Sequence, residues 1–136
     1  MFRFKHFSLA HDRSTLKIGT DSVLLGAAAP IENTNSVLDI GCGCGVIAFC
    51  IADRLRRSGQ TDFHVTGVDV DADSIAEARG NAQSFPQRNN IHFLFENIDI
   101  QHFDIDYKFD LIVSNPPFFC KLAETGRWET AVKPAS

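Results

Sequence analysis

Three glycines at every second position of the segment Gly41–Gly45 follow an apolar stretch, 36–40, and precede a periodic apolar stretch that begins at Val46. A glycine turn between a strand and a helix brings ligand against bare backbone at a helix N-terminus. The dinucleotide fingerprint G-x-G-x-x-G needs its third glycine where this chain has valine. Asp39, just before the loop, disfavours a pyrophosphate and favours a ligand that carries an ammonium or sulfonium. A tight turn without a ligand is the alternative.

Acidic residues follow the second predicted strand, which ends in the sequence GVDVD (67–71). An acid at this position accepts hydrogen bonds from a ribose diol. Asp69 lies 28 residues after Gly41, more than the usual ~20, because the polar segment 56–62 lengthens the connection. Asp71 suits the N-cap of the next helix, which leaves Asp69 for the ribose. Asp99, after the third predicted strand, either accepts a hydrogen bond from an adenine amino group or belongs to a plain surface turn.

An amide and two prolines end the fourth apolar stretch, in the sequence Asn115-Pro116-Pro117-Phe118. Proline has no N–H and a fixed φ, so a strand cannot continue pairing through it. Pro116 also restricts Asn115 to an extended conformation. The segment therefore holds an amide side chain on a stiff backbone at a strand end. A rigid surface turn is the structural alternative.

Alternating strands and helices must position these residues. Four strands are predicted near 36–40, 64–69, 91–96 and 109–114, and three helices near 19–29, 46–59 and 72–85. Asp21, or Thr20 before it, can cap the first helix. The alternation predicts an α/β fold with a parallel sheet and right-handed crossovers.

Composition is typical of a globular domain: 136 residues, 44% hydrophobic and 22% charged. No apolar run approaches the ~18 residues of a membrane span. The N-terminal sequence MFRFKHF lacks a signal-peptide core, so a cytoplasmic location is expected. The four cysteines, at positions 42, 44, 50 and 120, do not form two zinc-binding pairs, and reduced thiols are expected.

The net charge of −4 argues against general nucleic-acid binding. Residues 1–17 nevertheless carry four basic residues against one acid. This N-terminal segment either steers a polyanion locally or is a solvated arm without such a role.

Together, the motifs DIGCGCG (39–45), GVDVD and NPPF resemble those of class I S-adenosylmethionine-dependent methyltransferases. Asn-Pro-Pro-aromatic is similar to the motif of enzymes that methylate an amide or exocyclic amine nitrogen. The segment 2–29 resembles the tRNA adenine-N6-methyltransferase family that modifies the purine beside the anticodon of a valine tRNA. The resemblance, from about Phe2 to Phe119, implies a Rossmann-like sheet of order 3-2-1-4. It also implies S-adenosyl-L-methionine as cofactor, tRNA1(Val) adenine 37 as substrate, and neither a metal nor a membrane partner.

The resemblance assigns roles to individual residues. Adenine N6 is a poor nucleophile, and the Asn115 side-chain oxygen and the Pro116 carbonyl would accept from its hydrogens and stabilise the developing positive charge. Pro117 would stiffen the turn and Phe118 would stack on the flipped base. Residues expected to bind the cofactor are Thr20, Asp21, Asp39, Gly41, Cys42, Gly43, Gly45, Asp69, Val70 and Asp99.

The chain departs from the family after Phe119, because the tail 120–136 does not match the expected arginine-rich segment. We expect one domain, 1–136, with a flanking segment 1–35, a core 36–119 and the tail. The family's C-terminal strands would be missing, and the exposed edge of the fourth strand would invite self-association.

Two other functions are compatible with the motifs. A protein glutamine N5-methyltransferase of the release-factor type uses the same chemistry, but such enzymes carry a separate N-terminal helical domain, and only about 35 residues precede the first predicted strand here. The second alternative is a catalytically incomplete fragment that binds the cofactor weakly or not at all.

Overall fold

The computed structural model describes residues 1–13, 18–86, 90–103, 109–115, 120–122 and 128–130. The strands are β1 (Phe2–Arg3), β2 (Ser8–Leu9), β3 (Ser36–Ile40), β4 (Asp62–Asp69), β5 (Asn90–Asn97), β6 (Leu111–Ser114), β7 (Cys120–Leu122) and β8 (Trp128–Thr130). The helices are α1 (Thr20–Ala28), α2 (Val46–Arg57), α3 (Ala72–Ser84) and a 3-10 helix (Ile100–His102).

The central sheet has four parallel strands in the order β5-β4-β3-β6. This is the order 3-2-1-4 predicted for the four strands, and the α/β fold is confirmed. Strand β3 pairs with β4 on one side and with β6 on the other. In this register Asp39 lies between Gly67 and Val113. The chain reverses its direction of winding at the junction between β3 and β6, where ligands bind in doubly wound sheets.

The main core packs α2 and α3 against one face of the sheet. The Phe49 ring on α2 lies 5.1–5.5 Å from the rings of Phe85, Phe93 and Phe95. On the opposite sheet face, Leu94 and Ile112 are exposed. The faces therefore differ: one carries the aromatic core and the other leaves apolar side chains accessible.

The N-terminal segment forms a short antiparallel β1–β2 pair that docks on the core. The rings of Phe4 and Phe7 stack at 4.6 Å, and Phe7 contacts Phe85 at 5.3 Å. Leu9 is fully buried. The interpretation of this segment as a solvated arm is therefore wrong for residues 1–13, because aromatic side chains among the basic ones anchor it.

Helix α1 begins at Thr20, with Gly19 as its N-cap, and no side chain caps it. The expected capping by Asp21 or Thr20 is wrong, because both lie inside the first turn rather than before it. The C-terminal end of α1 is held by Arg54 of α2, whose guanidinium donates to the carbonyls of Gly26 and Ala29 at 3.0 and 2.7 Å.

Strand β6 begins two residues later than predicted. Asp110 precedes it, donating its backbone N–H to the Ser36 carbonyl and accepting from the Asn35 N–H at 3.0 Å. Within the described ranges β6 pairs only with β3 and forms one edge of the sheet. Self-association through that edge stays a prediction. The remaining strands, β7 and β8, form a separate antiparallel pair.

Among the residues that the structure describes, no helix combines the length and the apolarity that crossing a membrane requires.

Candidate functional site

The glycine loop is held against β4 at the carboxyl end of the sheet. The N–H groups of Gly41 and Cys42 both donate to the Val68 carbonyl, at 2.8 and 3.0 Å. Gly41 and Gly43 have φ of +70° and +57°, and a Cβ added at either would meet nothing within 4 Å. These two glycines therefore border open space where a ligand can approach the backbone.

Gly45 has a different role from the other two glycines of the loop. It is the N-cap of α2 with φ of +101°, and a Cβ there would lie 2.4 Å from the Phe49 ring. The residue is required for the entry into the helix. Its expected contact with the cofactor stays a prediction, since Gly45 does not line the cavity described below.

Asp69 connects the loop to the turn after β4. Its Oδ2 accepts from the Gly43 N–H at 2.8 Å and its Oδ1 from the Asp71 N–H at 2.9 Å. Asp71 is the N-cap of α3 and accepts from the Ser74 hydroxyl at 2.6 Å. Each carboxylate oxygen of Asp69 keeps a further lone pair, which a ribose hydroxyl can use. The Asp71 side chain makes no capping bond to the α3 backbone, and both aspartates line the cavity described below. The assignment of the ribose to Asp69 stays a prediction.

Asp39 is completely buried, and neither of its carboxylate oxygens accepts a hydrogen bond within the described part of the chain. The pKa of Asp39 is raised to about 8, chiefly by burial; the Ala48 backbone N–H, which does not meet hydrogen-bond geometry, lowers it, and the Asp69 charge raises it by a smaller amount. An unpartnered buried carboxyl beside an open loop fits a ligand with positive charge, because such a charge would stabilise the ionised form.

A cavity of about 750 Å³ opens between the glycine loop, the end of β4 and the segment after β5. This volume lies in the range of about 300–1,000 Å³ for small-molecule sites. Of the predicted cofactor residues, those that line it are Gly41, Cys42, Gly43, Asp69, Val70 and Asp99.

Asp99 stands at the far wall of this cavity. It is the N-cap of the 3-10 helix, and its Oδ1 accepts from the Gln101 N–H at 2.9 Å. The preceding Asn97 donates from Nδ2 to the Asp69 carbonyl at 3.0 Å, which joins the ends of β5 and β4. Asp99 is thereby held where it can accept from a ligand amino group.

Asn115 lies at the end of β6 and lines the same cavity. Its Nδ2 donates to the Ser22 hydroxyl oxygen at 3.0 Å, so its Oδ1 remains as an acceptor on the other side of the amide. The other three predicted catalytic residues, Pro116, Pro117 and Phe118, lie outside the described residues.

The residues that line the cavity at the start of α1 are not the ones predicted to bind the cofactor. Thr20 and Asp21 are exposed and do not line the cavity, whereas Ile18 and Ser22 do. Their assignment to cofactor binding stays a prediction. Ser22 was not predicted from the sequence, because the residue type alone does not show which side of α1 faces the end of β6.

The cysteines of the loop are buried free thiols. Burial raises the pKa of Cys42 well above its usual value, with the charges of Asp39 and Asp69 adding to the effect. Burial likewise raises the pKa of Cys50 to about 12. Cys42, Cys44 and Cys50 are all reduced, as expected, and the first and last are neutral near pH 7. A buried neutral thiol packs as a small apolar group, and Cys42 and Cys44 also line the cavity.

The family model described as "Methyltransferase small domain" matches residues 10–135, most of the chain. The chain belongs to the methyltransferase small domain family. A relative from Phocaeicola vulgatus is 42% identical over 118 residues, covering 87% of this chain and 47% of the relative. One from Klebsiella pneumoniae is 42% identical over 120 residues, covering 88% and 47%. Both relatives are named tRNA1(Val) (adenine(37)-N6)-methyltransferase.

This methyltransferase small domain spans about half the length of the curated relatives that it matches. Among solved structures, it resembles a putative class I S-adenosylmethionine-dependent methyltransferase from Listeria monocytogenes, with a TM-score of 0.51 and 22% identity over 77% of this chain and 35% of that chain. The resemblance to the tRNA adenine-N6-methyltransferase family and the Rossmann-like class I fold are both confirmed.

Proposed function

We propose that this chain forms the S-adenosylmethionine site and part of the acceptor site of an enzyme that methylates N6 of an adenine in tRNA. The observation that carries the proposal is that one cavity is lined both by the glycine loop with Asp69 and by Asn115. A methyl donor and an amine acceptor must meet within a few ångströms, and this cavity brings the two sets of residues together. The names of the relatives favour adenine 37 of tRNA1(Val) as the target.

The donor side of the cavity suits each part of S-adenosylmethionine. Asp69 would accept from the ribose hydroxyls, and Asp99 from the adenine amino group. The methionine part would lie along Gly41 and Gly43, where nothing occupies the space that a side chain would fill. Asp39, buried beside the loop without a partner, would offset positive charge on the ligand. The cofactor supplies an activated methyl group and its own leaving group.

The acceptor side depends on the orientation of one amide. Because Nδ2 of Asn115 donates to Ser22, its Oδ1 is available to accept from the adenine amino group. This acceptor draws electron density toward N6 and stabilises the charge that develops as the new N–C bond forms and the S–C bond of the cofactor breaks. The surplus N6 proton then passes to solvent. We further propose that the Pro116 carbonyl adds a second acceptor and that Phe118 stacks on the flipped base.

In our proposal, methyl transfer uses residues of this chain and no metal ion. The reaction would take place in the cytoplasm, where tRNA is modified. Glutamine N5-methylation of a protein uses the same acceptor geometry. We favour tRNA because of the names of the relatives.

The decisive experiment measures transfer of tritiated methyl groups from S-adenosylmethionine to bulk tRNA. It uses this chain and a full-length relative, with a release factor as the competing acceptor. We expect N6-methyladenosine in tRNA with the full-length relative. Label in glutamine of the release factor, and none in tRNA, would exclude the proposal.

Calorimetry of this chain with S-adenosylmethionine tests the donor site by itself. Binding without transfer to either acceptor would identify a cofactor-binding fragment. No heat of binding would contradict the donor site described here.

A further inference from the structure

A second group of potential ligand side chains lies at the opposite end of the sheet from the cavity. Asp62 and His64 on β4 and His92 on β5 are all exposed, and their ligand atoms lie within 4.8 Å of one another. Asp62 and Asp69 are seven positions apart on β4, about 23 Å at ~3.3 Å per residue. The group is therefore remote from the residues assigned to methyl transfer.

The register of two neighbouring strands holds these three side chains together. His64 pairs with His92 across the parallel β4–β5 ladder, and their rings stack with centroids 4.5 Å apart and planes 18° apart. Asp62 is two residues before His64, so both point to the same face of the sheet. Its Oδ1 lies 3.0 Å from Nε2 of His92. Backbone pairing, not loop conformation, sets this arrangement.

Tetrahedral zinc with bonds of about 2.0–2.1 Å needs ligand atoms roughly 3.4 Å apart. The Asp62–His92 pair is already closer than that, and all the ligand atoms of the group lie within 4.8 Å of one another. The side chains of His92 and Asp62 are 53% and 68% exposed and have room to turn. The two stacked imidazole rings must rotate out of their near-parallel arrangement for their nitrogen lone pairs to converge on one ion. Solvent can occupy the open coordination positions.

We propose that Asp62, His64 and His92 bind a divalent transition metal ion of the Zn²⁺ type. Two imidazoles and one carboxylate suit zinc and its neighbours, whereas Mg²⁺ and Ca²⁺ take oxygen ligands. The ion joins β5, an edge strand of the sheet, to β4. The bound ion stabilises the sheet and takes no part in methyl transfer.

Calorimetric titration of the whole metal-free chain with Zn²⁺ tests the site. We expect one ion per chain with a dissociation constant of about 10 μM or lower. His64→Gln and His92→Gln should each weaken binding at least about tenfold. The matched control is His102→Gln, an exposed histidine of the 3-10 helix, which should leave the affinity within a factor of two.

Two further measurements separate this site from binding elsewhere. In proton NMR spectra, addition of Zn²⁺ should shift the ring signals of His64 and His92 and leave those of His102 unchanged. Zinc should raise the unfolding midpoint of the parent chain but not that of the folded His64→Gln/His92→Gln double variant. Unchanged zinc affinity in the double variant, or no binding below about 1 mM in the parent, overturns the proposal.

Discussion

The Asn115 amide donates from Nδ2 to the Ser22 hydroxyl oxygen at 3.0 Å, joining the end of β6 to α1 across 93 residues of sequence. In the amide orientation that the structure has, Nδ2 is engaged by Ser22 and Oδ1 remains as the acceptor in the cavity. Ser22 is thus a positioning residue for Asn115.

Asn115→Ala should lower methyl transfer at least ~10²-fold, because a preorganised acceptor aimed at developing charge contributes ~3–4 kcal/mol. Cofactor affinity should stay within a factor of two, since Asp69 and the glycine loop hold the donor. Single-turnover transfer to tRNA and calorimetry, both in a protein of the relatives' full length, separate the two effects. Full activity would mean that the Asn-Pro-Pro segment is only a turn.

Ser22→Ala should lower the transfer rate about tenfold, the effect of losing one hydrogen bond of ~1–1.5 kcal/mol that orients Asn115. Ser22→Thr keeps the hydroxyl and should recover most of the rate. The KM for tRNA should change little in either variant. Equal losses in both variants would indicate a packing role for Ser22 instead.

Asp69→Ala should weaken S-adenosylmethionine binding by ~1.5–3 kcal/mol, the loss of a charged acceptor. Asp69→Asn retains an oxygen that can accept from the Gly43 N–H. Comparing its cofactor affinity with that of Asp69→Ala separates support of the loop from contact with the ribose. Asp71→Ala should instead lower the unfolding free energy by ~1 kcal/mol, because it removes the acceptor of the Ser74 hydroxyl. If Asp71→Ala abolishes binding and Asp69→Ala does not, the two roles are reversed.

The pKa of Asp39 predicts a pH-dependent stability. Because burial raises it from 3.8 to about 8, the folded protein keeps a proton that the unfolded chain releases. The stabilising contribution is complete below about pH 4 and is lost as the pH rises toward 8. Relative to Asp39→Asn, the parent should lose up to about 1.4 kcal/mol of unfolding free energy per pH unit in this window. Urea unfolding at several pH values measures the difference.

The same carboxyl predicts proton release on cofactor binding. A cationic ligand favours the ionised form of Asp39 and lowers its pKa. At neutral pH binding should therefore release close to one proton, which calorimetry in buffers of different ionisation enthalpy detects. The Asp39→Asn variant should release none. Equal proton release in both proteins would assign it to another group.

A pair of glycine substitutions tests the packing below the loop. A Cβ at Gly67 would lie 2.6 Å from the Phe95 ring and 2.8 Å from Sγ of Cys42, so Gly67→Ala should destabilise the fold by ~1–3 kcal/mol. Gly80, inside α3, has nothing within 4 Å of an added Cβ. Gly80→Ala should raise stability by ~1 kcal/mol. Urea unfolding compares the two with the parent.

The sheet could be predicted from local sequence because parallel strands buried on both sides are short apolar runs with clear boundaries. Strand order followed from the family motifs rather than from hydropathy. The N-cap position of Asp71 was predictable, because a helix start has a recognisable sequence. These predictions depend on residues close together in the chain.

The predictions that failed or were missed depend on distant contacts. Asp21 has a residue type that favours a cap, but α1 begins at Thr20, which places Asp21 inside the first turn. The docking of residues 1–13 depends on α3, which lies about 70 residues further along the chain. The Ser22–Asn115 contact spans still more of the sequence, and no local pattern signals it.

The buried Asn81 on α3 has a consequence for how the chain acquires its fold during synthesis. Its side chain accepts from the Ala10 N–H at 2.8 Å and donates to the carbonyls of Ala10 and Cys44, both at 3.0 Å. Residues 1–13 therefore leave the ribosome before α3, and have no docking partner until α3 has been made. Residues 1–13, with Phe2, Phe4 and Phe7 among them, must stay soluble through that interval. Their basic side chains give the nascent segment charge that opposes premature association.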